Sequence, residues 1–256
     1  MSMKNYHKVT RGLVEQNRRE GKSSMVKLDR LDLDLDRTYT LKEFEGINEQ
    51  LKTKTLETGE EPVDLFELDA SGKIIPMPQT PFCKEVVVAE IVRQIGNWNI
   101  YTKQDGAVTA SQGGFNFETG RGRTIRSPDV AFTPNHICCT LSEEQRWTFQ
   151  GQPFTPSFVV EVENVAGGRG TKFNNLDNKF RSVYFDYNTS VQLGWLVDPQ
   201  NRDIWVYKRK DNGTVGRRKQ RVWNDVDGGT VLPGFTLDVE DIDKITSVVC
   251  FTMSLY

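Results

Sequence analysis

Residues 156–164 read PSFVVEVEN. An apolar run of strand length between Pro156 and Asn164 predicts a buried β-strand, yet two carboxylates stand in it. Side chains alternate across a strand, so Phe158, Val160 and Val162 share one face while Val159, Glu161 and Glu163 share the other. An ionised carboxylate is costly to bury unless it is paired, hydrogen-bonded or coordinated. The two acids therefore point either to a cation or catalytic cleft, or to an edge strand with one solvated face.

A second acid-bearing stretch lies upstream. RSPDVAF, residues 126–132, puts Asp129 after Pro128 and directly before Val130, Ala131 and Phe132, where an apolar strand opens. Proline is tolerated at the start of a strand because its missing N–H costs no ladder bond there. Alone, Pro-Asp is a turn signal. With Glu161 it supplies one acid from each of two candidate neighbouring strands, a pair able to hold Mg²⁺, which takes a few carboxylate oxygens and keeps several waters. Bound there, the ion would activate an attacking water and neutralise charge on a phosphoryl group.

Around these strands the chain predicts an α/β (α+β) fold, one central mixed sheet flanked by helices rather than a regular βαβ array. Residues 1–37 are charged and end in alternating leucine and aspartate, LDRLDLDLD, which is expected to form a flexible arm. YTLKEFEGINEQL, from Tyr39, carries Thr40 and Glu43 at capping-box spacing before an amphipathic helix. The polar KTKTLETGEEP, residues 52–62, breaks that pattern, and VDLFELDASGKIIPMP predicts two short strands turning at Ser71-Gly72. From Phe82 to Trp98, Val87, Ile91, Ile95 and Trp98 recur at helical spacing with Glu90 beside their stripe. Short β-rich runs follow, then the loop AGGRGT and a helix in KFNNLDNKFRSVYFDYN. Two alternating runs flank Pro199-Gln200-Asn201 as a β-hairpin, and VLPGFTLDVEDI closes with a strand and a short helical turn. The main domain is expected over residues 38–245, with 246–256 as a tail.

With 33 Lys and Arg against 35 Asp and Glu, the net charge of -2 excludes a generally basic nucleic-acid binder. Four cysteines without C-x-x-C pairing and two histidines argue against a disulfide scaffold or a zinc site and for a reduced intracellular protein, cytoplasmic or nuclear. The N-terminal stretch MSMKNYHKVTRGLVEQNRREGK has no apolar signal core, and no run has the length of a membrane span.

YTLKEFEGINEQL, FELDASGKIIPMP, RSPDVAFTP, PSFVVEVEN, and LGWLVDPQNRDIWVYK followed by VLPGF resemble, in order and spacing, the Uma2 family of the PD-(D/E)XK nuclease superfamily, over residues 39 to 242. The resemblance implies a restriction-endonuclease-like core and hydrolysis of DNA phosphodiester bonds with Mg²⁺, Mn²⁺ being the possible substitute. It implies Asp129 and Glu161 as the metal-binding acids, with Glu163 lining or extending the metal site. The superfamily pattern has a lysine two residues after the second acid, where this chain has Glu163. The family is similar in taking its lysine from the following helix, in a motif like LDNKFRSVY, which makes Lys179 the candidate and Lys172 the substitute. Glu90 resembles the acid on the superfamily's first core helix; the alternative for it is the wet face of an amphipathic helix. Near the start of that helix many family members carry histidine, where this chain has Phe82, Cys83 and Lys84. DNA is the implied substrate, and a two-fold homodimer is the default for an enzyme that cuts both strands. The competing reading, favoured by Glu163, is a catalytically degenerate module that binds nucleic acid or a protein partner.

Two further features have plainer readings. The basic run KRKDNGTVGRRKQR, residues 208–221, is expected as a hairpin extension, and its charge is either a phosphate-backbone contact or that of a solvated loop. Trp195, Trp205 and Tyr207 are expected as core and cross-strand partners rather than base-stacking platforms.

Overall fold

The computed structural model describes residues 25–28, 31–34, 36–48, 66–76 and 80–251. These fall into two compact units that divide between Gln79 and Thr80.

In the first unit, β1 (Met25–Leu28) and β2 (Leu31–Asp34) pair antiparallel, with Leu28 opposite Leu31. This departs from the arm expected over residues 1–37: leucine alternating with aspartate has the two-residue period of a strand. Residues 1–24 lie outside the described residues, as does the polar stretch 52–62. Helix α1, residues 41–48, begins with the predicted capping box. Thr40 Oγ1 accepts from the Glu43 N–H at 3.2 Å, and Glu43 Oε2 accepts from the Thr40 N–H at 2.9 Å. The hairpin of β3 (Phe66–Leu68) and β4 (Ile74–Pro76) turns where expected, through Gly72 at φ 82°.

The second unit is built on a six-stranded mixed sheet. Its members are β5 (Ala107–Ala110), β8 (Val130–Thr133), β9 (Phe158–Val162), β10 (Leu193–Asp198), β11 (Asp203–Arg209) and β12 (Val215–Lys219), in spatial order β12-β11-β10-β9-β8-β5. Strands β9 and β10 run parallel and every other neighbouring pair is antiparallel. The α/β expectation of one mixed sheet flanked by helices is met. The remaining strands are the hairpin β6 (Phe115–Thr119) with β7 (Gly122–Arg126) and the short pair β13 (Val226–Asp227) with β14 (Thr236–Leu237).

Both faces of the sheet are covered. On one lie α2 (Phe82–Tyr101), through Val87, Val88, Ile91, Ile95 and Trp98, and α6 (Val239–Phe251), through Val239 and Ile242, packed with Phe158, Val160 and Val162. On the other lies α5 (Gly170–Lys179), continued by a π turn at Phe180–Tyr184, which brings Phe173, Phe180 and Tyr184 against Val159, Leu196 and Tyr207. Two short helices, α3 (Asn135–Cys138) and α4 (Glu143–Trp147), join β8 to β9. Trp195, Trp205 and Tyr207 are buried in the core, as expected. Gly194 is required where β10 passes under the π turn, because a Cβ there would stand 2.7 Å from the Phe180 ring.

The basic run extends the hairpin as expected, its strand β12 lying along β11, whereas the expected C-terminal helical turn is the 13-residue helix α6, which crosses into the stretch expected as a tail. The hairpin β10–β11 forms as predicted, with the fully buried Asp198 at its corner. Its carboxylate accepts from the backbone N–H of Val165 at 2.9 Å and of Asn201 at 3.1 Å, and from the Asn201 side chain at 2.8 Å. Asp198→Ala would strand those donors and is expected to lower stability by about 2–4 kcal/mol, read as a shifted urea midpoint. Among the described residues no helix is long and apolar enough to cross a membrane.

Candidate functional site

The strand PSFVVEVEN lies inside the sheet, every residue of β9 is buried, and the solvated edge-strand reading is thereby excluded. The register explains how its acid meets a partner. Strands β8 and β9 are antiparallel with Val130 opposite Val160, so the residue before Val130 comes beside the residue after Val160. Asp129 and Glu161 thus meet at the same end of two central strands. They are 7% and 6% exposed, a burial that demands compensation.

Compensation comes from donors on three elements. Asp129 Oδ2 accepts from the Val162 N–H at 2.8 Å, which ties the mouth of β8 to the end of β9. The same oxygen lies 3.2 Å from Lys84 Nζ on the first turn of α2. Glu161 Oε1 lies 3.0 Å from Lys179 Nζ and accepts a short hydrogen bond from the Tyr184 hydroxyl. Burial, and then the neighbouring charge of Glu161, push the Asp129 carboxyl up to about 6 against the opposing pull of Lys84 and the Val162 N–H.

Lys179 and Tyr184 reach one carboxylate oxygen because the helix changes pitch between them. Five residues apart in an α-helix, they would stand about 140° apart around its axis. The π turn closes with the Phe185 N–H donating to the Phe180 carbonyl at 2.9 Å, an i to i+5 bond that brings such residues towards one face.

Glu163 follows β9 and is half-buried, with Lys172 Nζ at 2.8 Å from Oε1 and Lys84 Nζ at 3.7 Å from Oε2. It therefore joins Asp129 through Lys84. Of the two candidate lysines, Lys179 is drawn to the buried acid, whereas Lys172 is 59% exposed and reaches only Glu163. Glu90 is not brought into this group. It is buried on α2, but Arg93 grips it, with Nε 2.7 Å from Oε2, and Gln94 donates to Oε1 at 2.9 Å. Six residues on from Lys84, it stands about 120° away from it around the helix axis and faces the α6 side, where Arg93 also meets Asp241 at 3.1 Å.

Tyr184 was not singled out by sequence reasoning, and Lys84 was named there only among the residues standing where many family members carry histidine. For Lys84 the signal was present: it sits three and four residues before Val87 and Val88, in line with the buried stripe of α2. For Tyr184 no α-helical spacing would have found it, because the π turn sets its direction.

Three cations of the basic run are spent on the fold. Arg209 donates to the carbonyls of Val191 and Asp186 at 3.0 Å each, Arg217 pairs with Asp177 at 2.7 Å, and Lys219 with Asp203 at 2.7 Å. The glycines of AGGRGT adopt positive φ at Gly167, Gly168 and Gly170, and Gly168 packs on Trp205, so that loop is a turn shaped by backbone need. Among the described residues no group of three or more His, Cys, Asp or Glu side chains is arranged to hold a metal ion. Asp129 and Glu161 are a pair, close enough for the charge of Glu161 to raise the Asp129 carboxyl.

No curated protein matches the chain. A solved structure of "a putative nuclease belonging to DUF820 from Anabaena variabilis" is similar to it, with a TM-score of 0.49 at 15% identity, covering 71% of this chain and 90% of that one. The Uma2 family model, described as "Putative restriction endonuclease", matches residues 49–240, a span that holds Lys84, Asp129, Glu161 and Lys179, and the chain belongs to the Uma2 family.

Proposed function

We propose that the protein is a metal-dependent endonuclease that hydrolyses phosphodiester bonds of DNA, with Asp129 and Glu161 as metal-binding acids and Lys179 beside them. The observation that carries the reading is a pair of buried carboxylates from adjacent central strands, each matched by a lysine from a different helix. The donor set suits Mg²⁺, or Mn²⁺ in its place, since such an ion needs only one or two protein carboxylates and retains waters. The mutual repulsion that raises the Asp129 carboxyl is what a divalent cation would relieve.

Bound there, the ion would polarise the scissile phosphate and lower the pKa of an attacking water. The chain's own residues do the rest. Tyr184 and the Val162 N–H hold the two carboxylates in place, and Lys179 presents a point charge for orienting the water or stabilising charge on the phosphate. A two-fold homodimer would bring two such sites to the two strands of a duplex.

The test is incubation of the purified protein with plasmid DNA in Mg²⁺, Mn²⁺ or EDTA, with Asp129→Ala alongside. Metal-dependent nicking or linearisation that disappears in the variant is the expected result. Cleavage that survives Asp129→Ala would place the activity elsewhere, and salt-sensitive DNA binding without cleavage would favour the degenerate module suggested by Glu163.

A further inference from the structure

Lys84 breaks a local rule. It stands in the first turn of α2, where the helix dipole disfavours a cation, and in line with the stripe that buries Val87, Val88 and Ile91. Its side chain is nonetheless only 20% exposed and ends 3.2 Å from Asp129 and 3.7 Å from Glu163. Glu163 in turn is fixed from its other oxygen by Lys172. A cation kept against its local preference, and aimed at the mouth of the carboxylate pair, marks a functional position.

We propose that Lys84 is a substrate-binding residue of this site: its ammonium, positioned by Glu163, contacts a phosphate of the nucleic acid beside Asp129. The inference deepens the nuclease reading and rests on it. The strand position held by Glu163 carries a negative charge that cannot meet a phosphate, so Glu163 serves as the anchor and Lys84, from α2, supplies the cation. Lys179 approaches from α5, and the two lysines bracket the acids from opposite faces of the sheet. When Asp129 engages a metal ion, Lys84 loses that partner and keeps Glu163, leaving ammonium protons for a phosphate oxygen. A purely structural counter-ion to Asp129 would make no such contact.

The salt dependence of DNA binding separates the two roles. Binding of a labelled duplex by the full-length wild type, Lys84→Met, Lys84→Gln and Lys84→Arg is measured by anisotropy from low to moderate salt. Losing one phosphate contact is expected to reduce the slope of log K against log[salt] by about one and to weaken binding about tenfold at 0.1 M salt, in both neutral variants. Lys84→Arg is expected to keep the wild-type slope. In parallel, Mn²⁺ alone is titrated against intrinsic tryptophan fluorescence, and Lys84→Met is expected to bind it several-fold more tightly, because a competing ammonium has gone. A wild-type slope in both neutral variants, or no DNA binding by the wild type, overturns the proposal. DNA binding with the predicted slope change but no cleavage in any metal would sink the nuclease reading and leave this contact standing. Urea midpoints identify a misfolded variant, and the other neutral substitution then carries the test.

Discussion

Lys179→Met is expected to slow single-turnover plasmid cleavage in Mg²⁺ by about 10²–10³-fold, the usual loss when one preorganised donor to a transition-state charge is removed. Lys172→Met is expected to stay within about threefold of wild type, since an exposed surface pair contributes little. The contrast follows from position. Lys179 Nζ lies 3.0 Å from the buried Glu161 carboxylate, with its side chain 21% exposed, and the π turn sets it beside Tyr184. Lys172 lies one carboxylate further out, in solvent, on Glu163. Quenched-flow or gel-based rates at saturating protein isolate the chemical step from binding. A large loss in Lys172→Met with little in Lys179→Met would reverse the assignment.

Asp129→Asn is expected to abolish cleavage and yet to stabilise the metal-free protein at pH 7.5 by about 1–3 kcal/mol, a gain that fades by about pH 4. The sign follows from the raised carboxyl. Asp129 titrates near 6 in the folded protein, through burial first and Glu161 second, against an ordinary value of 3.8. Between those values the folded state holds the proton more tightly than the unfolded chain, so stability falls as pH rises through that window and stays reduced above it. Asparagine does not titrate, and its carbonyl can still accept from the Val162 N–H. The urea midpoint in EDTA at pH 4, 6 and 7.5 checks this. Parallel pH profiles for the two proteins would show that the Asp129 charge carries no net cost, the Lys84 ion pair having offset it. A buried charge kept at a cost in stability, for the proposed metal ion, would be the ordinary trade between stability and function.

Much of the architecture was legible because it is written locally. The Thr40–Glu43 capping box, the turn at Gly72, the apolar stripe of α2 and the β10–β11 hairpin each depend on residues within a few positions of one another. Steric preference and hydrogen bonding act at that range. The reading faltered where partners are distant or the period changes. The run containing Arg217 and Lys219 was expected to offer its charge to a phosphate backbone or to solvent, but those two cations find Asp177 and Asp203, outside the run. Glu90 has the right residue type on the right helix, yet Arg93 and Gln94 hold it on the α6 side.

The amino-acid sequence by itself determined that Glu161 and Glu163 leave one face of an apolar strand, and that Asp129 opens another, because side-chain alternation is a property of the backbone alone. Only the tertiary structure decided that β8 and β9 run antiparallel in the register that sets Asp129 beside Glu161. It also decided that Lys84 and Lys179 arrive there from opposite layers, and that a π turn rotates Tyr184 onto the same oxygen as Lys179. Charges separated by tens of residues meet through strand register and helix packing, which the burial of both sheet faces selects and no local period encodes.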